Sequence, residues 1–167
     1  MSEPVEMKVT SVEEAAKVLN YFNGFHDGFM KRIVITSQND MDRNDEDLAA
    51  QTGVVFDVQI VFAHFNYGYE PGKSYERPMR PHNQIIHAEF HNVQGLFCDF
   101  SEGFLGNYIM ELRIHPANRR YGGGSGTQQC LALYLSRHYH LDDHRTELRE
   151  SQFFTFTEAM FRELPTK

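Results

Sequence analysis

Between Val54 and Ala63 the chain alternates with a period of two, Val54, Phe56, Val58, Ile60 and Phe62 on one side and Val55, Asp57, Gln59, Val61 and Ala63 on the other. That period belongs to an extended strand with one face buried deeper than the other, because successive side chains of a strand point to opposite faces. The same habit returns at Ile86, Ala88 and Phe90, which alternate with Ile85, His87, Glu89 and His91. Phe29–Thr36, Leu96–Phe100, Tyr108–His115, Gln129–His140 and Glu147–Thr157 repeat it, with Gly95, Gly103, Gly106 and the Gly122–Gly126 stretch as punctuation. Seven short strands separated by turn signals predict an antiparallel sheet system, a sandwich or an open barrel-like arrangement. Fourteen Phe and eight Tyr reinforce this reading, since aromatic side chains suit a pleated, half-buried surface.

One segment breaks the pattern. Ser11-Val12-Glu13-Glu14 is an S-x-x-E capping box, and Val12, Ala15, Ala16, Leu19 and Phe22 follow at helical spacing. A helix is expected over Val12–Tyr21, ended by Asn23 and Gly24, which tolerate left-handed backbone. Thr157–Leu164 is read as a short C-terminal helical turn. The fold class is therefore α+β, mainly antiparallel β, in a single sheet-rich domain spanning 1–167 with an N-terminal helix. No internal repeat or linker divides it, and 167 residues is an ordinary length for one domain.

The formal net charge is −7, from 23 Asp and Glu against 16 Lys and Arg, so the summed field repels phosphate backbones and argues against a nucleic-acid partner. Cys98 and Cys130 form no C-x-x-C pair and read as small core residues. Met1–Val9 lacks the basic-then-apolar order of a secretory signal, and no apolar run approaches the ~20 residues of a membrane span. A cytoplasmic location is expected by elimination.

Complete catalytic motifs are not found. Asp40, Asp42 and Asn44 open like a calcium loop, but Asp45 stands where Gly is needed and Gln51 where Glu is needed. Tyr121–Thr127 is glycine-rich without the Lys of a phosphate loop, and Ser125 sits in a broken G-x-S-x-G. The histidines are more informative. His87, Glu89 and His91 share one face of a strand, with neighbours roughly 7 Å apart, so an adjacent pair could hold a divalent metal. His87 and His91 are ~13 Å apart along a strand, so a further ligand must come from another strand, with His64 or His115 as donors. His138, His140 and His144 beside Asp142 and Asp143 offer similar chemistry. The competing reading of the first group is the wet face of an antiparallel sheet, and that of the second a polar strand end and turn.

His26 and Asp27 are adjacent, as in the metal-binding pair of helical phosphohydrolases, but they stand in a helix-to-strand turn. There Asp27 suits a turn former and Gly28 supplies permissive torsions. A helix, then Phe25-His26-Asp27-Gly28, then an apolar strand at Phe29–Ile35 resembles a group of small bacterial F-H-D proteins that includes polymorphic-toxin immunity proteins of the immunity-50-like type. The resemblance implies a non-enzymatic protein that binds and blocks a cognate toxin, with its acidic charge steering a basic partner. It implies no catalytic residues and no cofactor. Tyr67, Tyr69 and Tyr75 in a loop agree with a protein-binding role, since Tyr is enriched at interfaces. The alternative is a metal-binding protein or metal-dependent enzyme built on the histidine-rich sheet face.

Overall fold

A computed structural model of the chain describes residues 5–26, 28–37, 56–66, 82–96, 108–109, 111–120, 127–140 and 146–164. In chain order the elements are β1 (Glu6–Val9), α1 (Val12–Tyr21), β2 (Gly28–Ser37), β3 (Phe56–Asn66), β4 (His82–Val93), β5 (Tyr108–Ile109), β6 (Glu111–Arg120), β7 (Thr127–His140), β8 (Thr146–Phe156) and β9 (Glu158–Leu164). Every ladder is antiparallel. Six strands form one sheet in the order β1-β9-β4-β3-β2-β5, and three form a second in the order β6-β7-β8.

The helix forms where the capping box places it. Ser11 Oγ accepts from the Glu14 amide at 3.2 Å, and the Glu14 carboxylate accepts from the Thr10 amide at 2.6 Å and the Thr10 hydroxyl at 2.8 Å. Amides with no helical partner are thereby satisfied. Ala15 and Val18 are buried, so the helix lays one stripe against the core. It stops in three successive left-handed residues, Asn23, Gly24 and Phe25, with φ of 49°, 61° and 57°.

Two places join the sheets. Ile109 belongs to the six-stranded sheet and Glu111 to the three-stranded one; Phe156 ends β8 in one sheet and Glu158 opens β9 in the other, with only Thr157 between. Strands that change sheets at a bend are how two sheets share a corner. One corner is locked by polar contacts. Gln94 and Thr155 exchange two backbone hydrogen bonds of 2.9 Å, the Asn92 side chain donates to Thr157 Oγ1 at 3.0 Å, and the Arg119 guanidinium from β6 donates to the Asn92 carbonyl. No closed barrel forms among the described strands.

Between the sheets lies one apolar core dominated by phenyl rings: Phe22, Phe25, Phe62, Phe90, Phe153, Phe154, Phe156 and Phe161 are all buried. Phe90 stands at its centre, edge-on to Phe154, Phe156 and Phe161 with ring centroids 4.9, 5.1 and 5.6 Å away. The alternation that defined β3 is borne out face by face, with Val58, Ile60 and Phe62 buried and Gln59 exposed.

Several sequence-based expectations need correction. Where a helical turn was expected over Thr157–Leu164, Thr157 is a bend and Glu158–Leu164 is a strand: Ala159 and Phe161 point to the core, and β9 pairs with β1 on one side and β4 on the other. Two ladders outweigh the helix propensity of Glu, Ala, Met and Leu. β1 had no sequence signal of its own and Tyr108–His115 divides into β5 and β6, so that with β9 the described residues form nine strands, against seven expected over the whole chain. Of the strand expected at Leu96–Phe100, all but Leu96 lies outside the described residues.

Candidate functional site

On the core face, one end of the six-stranded sheet is polar. His64 of β3 and Gln84 of β4 are opposite each other in register, and both are buried. His64 Nδ1 lies 3.3 Å from Gln84 Oε1, Gln84 Nε2 donates to Glu163 Oε1 at 3.0 Å, and the Tyr21 hydroxyl donates to Glu163 Oε2 at 3.2 Å. Since the Gln84 amide nitrogen is turned toward the carboxylate, its oxygen faces the imidazole and accepts, so His64 Nδ1 carries a hydrogen. A polar chain thus runs from a buried imidazole to a phenol near the surface. Burial raises the Tyr21 phenol above its ordinary value, and the neighbouring Glu163 carboxylate adds to the shift.

Phe25 and Gly28 of the F-H-D-G motif close this polar end. Phe25 is fully buried, its ring centroid 5.0 Å from Phe62 and 5.9 Å from His64. Gly28 pairs with His64 across the β2–β3 ladder, and a Cβ there would stand 2.7 Å from the Phe25 carbonyl oxygen. Position 28 is therefore closed to any side chain by backbone, a stronger reason for glycine than permissive torsions. His26 is exposed, and Asp27 lies outside the described residues.

The opposite face of the same sheet carries the histidine group. His87, Glu89 and His91 point away from the core, as their spacing requires, while Ile86, Ala88 and Phe90 point into it. His87 Nδ1 is 3.6 Å from Glu89 Oε1, and His91 Nδ1 is 3.1 Å from Asp57 Oδ1 on β3. Asp57 sits at the irregularity between Phe56 and Val58, which the sequence did not single out. Further along the face, Arg162 Nε donates to Glu6 at 2.9 Å and Lys8 Nζ lies 3.0 Å from Glu158. Hydrogen bonding to Glu6 raises the Arg162 guanidinium pKa, with charge from Glu6 and Glu89 contributing, so it stays cationic.

Imidazole and carboxylate in the His87–Glu89 and Asp57–His91 pairs are the right donors for a borderline metal. His64 lies on the other face of the sheet and cannot join them, and His115 is on β6, its ring edge-on to Tyr134 at 5.3 Å. No group of three or more metal-binding side chains assembles among the described residues. His138 and His140 lie on β7 by backbone, their side chains outside the described set, as are His144, the Asp40–Asn44 loop, Gly122–Gly126 and Tyr67, Tyr69 and Tyr75.

A groove of about 500 Å³ separates the start of α1 from the β6–β7 ladder, lined by residues that include Ser11, Glu13, Asn118, Gln129 and Cys130. Burial raises the Cys130 thiol pKa, which keeps it protonated and agrees with a core role. No helix among the described residues is long and apolar enough to cross a membrane. No family model matches the chain, and neither a curated protein nor a solved structure shows significant similarity to it.

Proposed function

We propose that this chain is a non-enzymatic protein-binding domain that recognises its partner through the outer face of the six-stranded sheet. The observation that carries the reading is the row of cross-strand polar pairs on that face: the opposite charges of Glu6 with Arg162 and Lys8 with Glu158, and the hydrogen-bonded Asp57 and His91, each pair joining two strands. Cross-strand pairs hold these side chains in place before a partner arrives, which lowers the ordering cost of binding. The described interior is filled by phenyl rings, which directs recognition to the outside of the fold. With a net charge of −7, a basic partner is favoured, and the F-H-D resemblance makes a toxin the partner class and neutralisation the role.

Affinity capture with the native chain and with a Glu89→Lys/Arg162→Glu variant tests this. A partner that leaves as salt rises, is lost with the variant and slows amide exchange along β4 and β9 would support the proposal. Equal retention by both proteins would overturn it. The two His–carboxylate pairs favour a second reading, a divalent-metal site on the same face. Elemental analysis of protein purified without a His-tag, beside His87→Ala, separates the two: stoichiometric metal lost in the variant supports the metal reading, and metal-free folded protein removes it.

A further inference from the structure

β1 stands at the end of the six-stranded sheet, with β9 on one side and no strand on the other among the described residues. Which backbone groups face the open side follows from the ladder. The Glu163 amide donates to the Val5 carbonyl at 2.9 Å, and β1 then runs in register as Glu6 with Arg162, Met7 with Phe161, Lys8 with Met160 and Val9 with Ala159. In an antiparallel pair, hydrogen-bonded and non-bonded positions alternate. Val5, Met7 and Val9 therefore turn their backbone groups toward β9, while Glu6 and Lys8 turn theirs to the open edge.

We infer that this edge pairs with the same edge of a second copy of the chain, antiparallel about a two-fold axis at Met7. In that register Glu6 faces Lys8 of the other copy and Lys8 faces its Glu6. Both are hydrogen-bonded positions, so the available N–H and C=O groups meet each other and the side chains above them have opposite sign. The two competing self-registers that use the same groups place Glu6 against Glu6 or Lys8 against Lys8, and like charges directly opposite are repulsive. Only the Met7-centred register satisfies both backbone and charge. Glu6 and Lys8 are half-exposed at 46% and 51%, and each holds a charge on β9 of its own copy, Arg162 and Glu158. Across the axis the signs then read Arg162, Glu6, Lys8, Glu158 without a break. The two six-stranded sheets become one, and their outer faces a single surface. A four-residue edge lies well below the area of a standard stable interface, so the dimer is weak and concentration-dependent.

Sedimentation of the native chain from micromolar to millimolar concentration, with the single variants Glu6→Lys and Lys8→Glu, is the test. Native protein should move from monomer to dimer, and each variant should dissociate about tenfold or more readily, because each places like charges across the axis. An equimolar mixture of the two variants should restore the dimer as a heterodimer, a result that no contact elsewhere would produce. Exchange of the Glu6 and Lys8 amides in the native chain should slow as concentration rises while that of Met7 does not, which needs no variant. A native chain that stays monomeric throughout, a dimer indifferent to both substitutions, or a mixture that fails to form the heterodimer would overturn the inference.

Discussion

At position 28 the absence of one carbon atom decides how the chain leaves its helix. A Cβ there would sit 2.7 Å from the Phe25 carbonyl oxygen, whereas at Gly95 nothing lies within 4 Å and the constraint is a φ of +66°. Gly28→Ala must push backbone apart and should cost about 1–3 kcal/mol, as overpacking does. Gly95→Ala should cost about 1–2 kcal/mol, the usual penalty for a left-handed L-residue. Chemical denaturation of both variants compares steric with torsional strain directly. The polar chain makes a second prediction. Glu163→Gln removes the charge beside Tyr21 and should lower its phenol pKa part of the way, since burial, the larger cause, remains. The native state favours a raised phenol in its protonated form, so this stabilisation is present below the ordinary tyrosine value and lost as pH rises through the raised one. Ultraviolet titration against Tyr21→Phe isolates the signal. Gly28 already belongs to β2, whereas the turn at His26 was legible from residue type. The polar chain was not, because its links span 20, 79 and 142 residues of sequence and Glu163 falls where the sequence reads as helical.

Among the elements, α1 and β9 show when local pattern suffices. Ser11 and Glu14 are three residues apart and the structure uses both, so the start of α1 could be read to the residue. Ser11→Ala should cost about 1 kcal/mol in a denaturation experiment. Hydrogen bonds from Thr10 hold the Glu14 carboxyl below its ordinary value, so its contribution is present at neutral pH and fades as pH falls through the lowered pKa. Thermal melts through the acid range should converge for native protein and Glu14→Gln. β9 had no such local signature. Its burial alternates at Ala159 and Phe161, a record too short to outweigh good helix formers. Its strand character comes from β1 and β4, and neither partner is adjacent in sequence.

For the whole molecule, antiparallel architecture was legible because seven segments alternated, but the order of strands was not. The corner at Thr157 falls on an ordinary residue, and neither it nor the passage from Ile109 to Glu111 has a proline or paired glycine to mark it. A shared core follows from those corners. Phe90 touches rings from β8 and β9, so Phe90→Ala should cost about 3–5 kcal/mol and both sheets should still melt together. Fluorescence and far-ultraviolet dichroism that gave separate midpoints would show instead that the sheets unfold independently.

The β1–β9 ladder also sets a timetable. Glu6 and Arg162, bonded in the finished fold, are separated by 156 residues. At a synthesis rate of about 5–20 residues per second, β1 leaves the ribosome roughly 8–30 s before the strand that will hold it. Throughout that interval both of its edges are open. The alternating charges of Glu6 and Lys8 then have a second use, since charged residues on an exposed strand discourage indiscriminate pairing. For a nascent chain they serve as a guard, keeping β1 solvated until its permanent neighbour has been made.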